Sequence, residues 1–205
     1  MTARDAILAR VDRAAAAGRV PGVPVGAAPP DERDRHDVLA RFVRELRALG
    51  VEVFVEASDG DVRARVQAHV SGHRTVSWAA ARLPYGTATV VSDGIPWDAA
   101  YADQASADVG LTGCDAAIAD TGSLVLLSGP GAPRSTSLLP PVHVAIVRRD
   151  DIVSTAAEVF SHAADRMAQS ACCTFITGPS RTADIELSLT IGVHGPGRLV
   201  VVVGP

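Results

Sequence analysis

A chain of 205 residues with 47% hydrophobic content can bury a substantial core, and one domain plus an appendage fits that length better than two domains. A formal charge of -4, with arginines scattered along the chain, leaves no positive field for a phosphate backbone, which excludes nucleic acid as the main partner. Every basic residue among the 19 is arginine, so a lysine Schiff base and the lysine of a standard P-loop are excluded too.

No apolar run approaches the roughly 18 residues that cross a bilayer, and the first residues alternate charge with alanine instead of forming a secretory signal. A cytoplasmic protein is expected. The three cysteines, Cys114, Cys172 and Cys173, are odd in number, and adjacent strand residues point to opposite faces, so reduced thiols are expected. They are also too few for the usual four thiolates of an iron-sulfur cluster, which assigns any such cluster to another polypeptide.

In chain order, Thr2 and Asp5 in capping-box spacing open a helix that stops at Gly18. The segment from Val20 to Pro30 has four prolines among 11 residues and reads as an extended connector. These observations divide the chain into an N-terminal helix and connector at 1–30 and a main domain at 31–205. From Asp31 onward, Val38, Leu39, Phe42, Val43, Leu46 and Leu49 share a helical face, with Gly50 as the stop. A strand at Val51 to Val55, a helix from Ser58 to Gly72 and a strand at RTVSW follow. Further strands are predicted at ATVV, DVGLT, SLVLLS, VHVAIV, CCTFI and LVVVV, with an amphipathic helix from about Ser154 to Gln169. Short apolar strands alternating with helices define an α/β fold: an open, mainly parallel sheet with helices on both faces. Ligands in such sheets gather beyond the carboxyl ends of the strands, which directs attention to the loops after Thr112, Val147 and Ile176 and to the segment before the last strand.

Several motifs fail on inspection. His69 and His73 have metal-compatible spacing, but Val70 stands where a zinc protease needs glutamate and Gly72 breaks the turn, so no metal site is expected. GPGAPR has two glycines of a dinucleotide fingerprint with prolines where a helix should open, and reads as a turn. GPSRT lacks the closing glycine of a nucleophile elbow. No flavin or nicotinamide fingerprint is visible, so no cofactor is expected on this chain.

Other segments retain chemical interest. In ADVGLTGCDAAIADTGSLVLLS, Asp115 and Asp120 sit beside glycines, and Asp120 is followed by Thr121, Gly122 and Ser123. This is either a turn leading into a hairpin or a carboxylate with two hydroxyls at a sheet edge. Pro140 and Pro141 fix the entry to a strand that begins near His143, a packed core histidine or a proton carrier. After CCTFI, Gly178 and Pro179 turn the chain, and Ser180 or Thr182 can cap a helix whose free N–H groups attract an anion, with Arg181 as a bidentate clamp. Asp184 and Glu186 then face away, cap the helix, or act as acid and base. In GVHGP, Gly192 and Gly195 flank His194 and admit a close ligand.

GLTGCDAAIADTGS, SLLPPVH, TGPSRTADIE and GVHGP, in this order, resemble the signature segments of the lactate-utilization protein C family of LUD-domain proteins. The likeness covers about Asp31 to Pro205 and is densest after Asp108. It implies the fold of glucosamine-phosphate deaminases, ribose-phosphate isomerases and CoA transferases. It also implies a part in oxidising L-lactate to pyruvate beside two iron-sulfur partner proteins, one with its own LUD domain. Asp120 stands where the family usually has glutamate. On this reading Asp120, Glu186, His143 and His194 are the candidate catalytic residues. Thr121, Gly122, Ser123, Gly178, Ser180, Arg181, Thr182, Asp184, Gly192 and Gly195 form a pocket for a small anionic ligand. The alternatives are a self-sufficient enzyme acting on a sugar phosphate, CoA thioester or folate-like substrate, and a noncatalytic ligand-binding scaffold.

Overall fold

The computed structural model describes residues 3–17, 37–183 and 189–205. The first helix, α1 (Ala3–Ala17), forms where the capping-box spacing predicts it, and the proline-rich connector lies outside the described residues. Helix α2 (Val38–Ala48) buries Phe42, Val43 and Leu46. It ends before Gly50, whose φ of 81° is the left-handed conformation that closes helices. Strand β1 (Glu52–Val55) follows. In α3 (Asp59–Val70), the Ser58 hydroxyl accepts a hydrogen bond from the Asp61 N–H at 3.2 Å, and Val62, Val66 and Val70 fill one face.

After β2 (Thr75–Ser77), the expected ATVV strand is absent. Residues Pro84–Val90 form 3-10 turns instead, with a kink at Tyr85 and Gly86, whose φ values are 59° and 66°. The Thr87 and Thr89 hydroxyls each donate to the carbonyl three residues back, at 2.8 Å, offering this apolar stretch an alternative to sheet pairing. The remaining elements are β3 (Gly94–Ile95), α4 (Tyr101–Ala105), β4 (Val109–Thr112), β5 (Ala116–Ile118), β6 (Ser123–Ser128), α5 (Ser135–Leu138), β7 (Val142–Arg148), β8 (Ile152–Val153), α6 (Ala156–Gln169), β9 (Cys172–Ile176), β10 (Arg181–Ala183), β11 (Leu189–Ile191) and β12 (Arg198–Gly204).

Six strands form an open sheet in the order β1-β12-β7-β4-β2-β3, and every pairing in it is parallel. The fold is α/β, with helices on both faces of this sheet. Registered neighbours in a parallel sheet share a face, so Val76, Gly110, His143 and Leu199 form one row. Helix α5 covers that row closely: a Cβ on Gly110 would lie 1.9 Å from the Thr136 carbonyl oxygen. The opposite face carries Leu111, Val144 and Val200 against the side of α3, and Gly204 on it meets the Tyr85 ring.

Two further expectations need correction. The SLVLLS and CCTFI segments, β6 and β9, do not join the parallel sheet. They pair antiparallel in a second, four-stranded sheet of order β8-β5-β6-β9. The cause is the tight link from β5 to β6 through Gly122, at φ 63°, which folds the chain back on itself as a hairpin. Ala117, Leu124 and Leu126 of this sheet join the main core, while Ala116, Ile118 and Val125 face Val159 and Ala163 of α6. The other concerns the helix expected to open at Ser180 or Thr182. Arg181–Ala183 is β10, paired antiparallel with β11, so the helix N-terminus invoked to attract an anion is not formed there. Among the described residues no helix is long and apolar enough to cross a membrane.

Candidate functional site

At the carboxyl ends of the parallel strands, the chain leaves β2 at Trp78, β4 at Gly113 and Cys114, and β7 at Arg148. Two adjoining clefts open here. One, of about 150 Å³, is lined by Trp78, Arg82, Leu83, Pro84, Cys114, Asp115 and Arg148. The other, of about 190 Å³, shares Arg82 and Asp115 and adds Arg166 of α6 with the Leu127–Pro130 turn. Gly113 lets the loop after β2 come close, since a Cβ there would sit 2.6 Å from the Arg82 carbonyl.

Asp115 is the hub of this region. Its side chain is 8% exposed; Oδ2 accepts the Leu127 N–H at 2.8 Å, and Oδ1 lies 3.3 Å from Arg82 Nη2 and 3.5 Å from Arg166 Nη1. Arg82 also lies over the Trp78 ring, 5.5 Å from its centre, and the indole N–H donates to the Pro133 carbonyl at 3.3 Å. Burial pushes the Cys114 thiol up to about 12 while its Sγ–H donates to the Ala116 carbonyl, so it stays protonated and is no nucleophile at neutral pH. Tyr85, next to Pro84, is the one described non-glycine residue with positive φ, pinned by its hydroxyl to the Pro205 carbonyl and by its own carbonyl to Arg63.

The amino end of the same sheet holds a different cavity, of about 200 Å³. His143 and Leu199 form its floor, Ser137 and Leu138 of α5 one wall, and Ser180, His194 and Gly195 another. His143 is 1% exposed, and its Nε2 lies 2.8 Å from Thr112 Oγ1. Burial pulls its pKa down to about 4, so the ring is neutral at physiological pH. The loop from Gly192 to Pro196 wraps Ser180, whose N–H donates to the Pro196 carbonyl and whose carbonyl accepts from Gly192, both at 2.9 Å. A neighbouring cavity of about 430 Å³ shares Leu138, His194 and Gly195 and includes Gly192.

Most of the other sequence-predicted residues gather along α2 and its carboxyl end. Asp120 forms an ion pair with Arg41, and a Cβ on Gly122 would lie 2.9 Å from the Leu46 nitrogen. Thr121 and Ser123 share a hydroxyl contact of 2.7 Å, and Ser123 continues it to Thr177 at 2.6 Å. Gly178 packs beside Leu49, and Arg181 donates to the Leu49 carbonyl at 2.5 Å, so its guanidinium caps the helix end. Thr182 faces Thr190 across the β10-β11 hairpin. Asp184 and Glu186 lie outside the described residues. Among the cavities described above, His194 lines the two at the amino end, and Asp120 and Arg181 line none of them. Arg82, Arg148 and Arg166 are absent from the motif-based reading, although Arg148 directly follows Val147, where the strand-end rule points.

The parallel sheet with helices on its faces defines an α/β protein of the open-sheet class. Comparison narrows this: the LUD domain matches residues 39–203, and the chain belongs to the LUD domain family. It is 32% identical to the lactate utilization protein C of Deinococcus radiodurans over 96% of this chain and 93% of that protein. It is 43% identical to that of Halalkalibacterium halodurans over 47% of this chain and 44% of that protein, and 37% identical to that of a Geobacillus strain over 52% and 48%. The chain thus spans about half the length of these last two relatives. Among solved structures, a DUF162 family protein from Deinococcus radiodurans superposes with a TM-score of 0.68 at 28% identity, covering 82% of this chain and 96% of that one.

Proposed function

We propose that this chain is a cytoplasmic subunit of an L-lactate utilization system that works with iron-sulfur proteins in oxidising lactate to pyruvate, and that it binds a small anion at the carboxyl ends of its parallel strands. The observation that carries this reading is the match, across nearly the whole of both chains, to a relative named for lactate utilization. Two features agree with it. Three cysteines fall short of a four-thiolate cluster, which leaves that cofactor to partner proteins. The strand-end clefts carry cations and a protonated thiol, a setting for holding an anion more than for attacking it.

The test is a clean deletion in the organism of origin. Loss of growth on L-lactate as sole carbon source, restored by the intact chain, is expected, together with cysteine-rich iron-sulfur proteins in affinity isolates from lactate-grown cells. Normal growth of the deletion strain on lactate contradicts the proposal.

A further inference from the structure

We infer that Arg82, Arg148 and Arg166 form a binding site for a small carboxylate, with Asp115 as the residue that positions two of them. The inference rests on the reading above for the class of ligand, and on the geometry of the strand-end clefts for its place.

Three permanently charged guanidinium groups line two clefts that share one wall. The acid in that wall, Asp115, is nearly buried, and its oxygens are committed to Leu127, Arg82 and Arg166. Holding both arginines on one oxygen keeps the two guanidiniums close together. Each guanidinium carries five N–H donors, more than the contacts to Asp115 and the Leu127 carbonyl use up. Arg82 and Arg166 remain 38% and 56% exposed, so their spare donors are open to a ligand. Asp151 lies near enough to sense Arg148 and Arg166, but burial pushes its carboxyl up and it lines neither cleft.

The walls select among anions. The smaller cleft adds Trp78, Leu83 and Pro84 to the cations, surfaces that an inorganic anion does not use and a carbon skeleton does. Each cleft has the space of about five or six water molecules, which suits a carboxylate of about three or four carbons. The amino-end cavity has no arginine among its lining residues, and its buried histidine is neutral.

Trp78 supplies the reporter. In the Trp97→Phe chain it is the sole tryptophan, and titration with L-lactate, pyruvate and inorganic phosphate at low ionic strength is followed by its fluorescence and checked by calorimetry. Saturable binding of the two carboxylates is expected, weakened tenfold or more in Arg82→Gln and Arg166→Gln and unchanged in the charge-matched Arg74→Gln control. Arg148→Gln, whose side chain is not tied to Asp115, weakens binding in a variant whose fold is checked by circular dichroism. Absence of saturable binding, affinity in all three cleft variants unchanged from the parent, or phosphate bound as tightly as the carboxylates overturns the inference. Lactate growth in the deletion strain is scored separately. A cleft that binds carboxylates in a strain indifferent to lactate retires the metabolic reading alone, and an empty cleft in a lactate-dependent strain retires this one alone.

Discussion

The two ends of the parallel sheet solve opposite problems. At the amino end, α5 presses onto Gly110, His143 is buried beneath a cavity lined by no arginine, and the sheet tolerates a histidine only by keeping it neutral. At the carboxyl end, two guanidiniums pair with one carboxylate and a third lines one of the same solvent-reaching clefts. Charge is retained where water and paired counter-charges remain and refused where burial strips them away. The contrast teaches that a histidine at the start of a strand and an arginine at the end of one carry different weight as evidence for a site, even when both line cavities.

The largest expected effect breaks the amino end. In Gly110→Ala the new methyl falls on the Thr136 carbonyl, and neither the strand nor α5 can yield without losing backbone pairing. A loss of at least about 4 kcal/mol in chemical denaturation is expected. A small loss would mean that α5 is loosely held and that the cavity above His143 is not a fixed feature.

Next in size is the pH dependence of the same end. The folded-state pKa of His143 is about 4 against an ordinary value of 6.5, so between these values the unfolded chain binds the proton and the folded one does not. Stability from this group is therefore complete above pH 6.5 and falls as the pH drops to about 4, by roughly 3 kcal/mol at the low end. Urea midpoints measured across this window fall with pH in the parent chain, and this share of the fall disappears in His143→Gln. An identical slope in both chains would show that the ring is not neutralised by burial, and the contrast between the two ends would lose its basis.

Much of this was legible in the residues. Helical spacing from Val38 to Leu49, the Ser58 cap and the alternation of strands with helices led to the α/β architecture, because local propensity and burial agree along these elements. The second sheet was not legible. The apolar runs of β6 and β9 resemble those of β7 and β12, and periodicity does not say which sheet a fully apolar strand enters. The strand after GPSRT was misread for a related reason: a cap-like Ser or Thr is equally at home in a turn, and the pairing of Thr182 with Thr190 is a tertiary outcome. The arginines at the strand ends belong to no spaced motif. Arg82, Arg148 and Arg166 are far apart in sequence, and only the fold brings them to adjoining clefts.

The smallest effect concerns Asp120. Its carboxylate pairs with Arg41 of α2, and its N–H donates to the Ser154 carbonyl at 3.1 Å, so it joins the β5-β6 turn to both a helix and the strand pair β5-β8. With the aspartate side chain 36% exposed, solvent screens the pair and side-chain entropy opposes it. Asp120→Asn should therefore cost about 1 kcal/mol or less, read as a small shift of the urea midpoint with no change in slope. It should also leave the fluorescence of Trp78 unaltered, because Asp120 lines neither strand-end cleft. A larger loss, or a shifted Trp78 signal, would tie the α2 side of the second sheet to the arginine clefts and dissolve the separation between the polar cluster that the motifs mark and the charged one that the fold assembles.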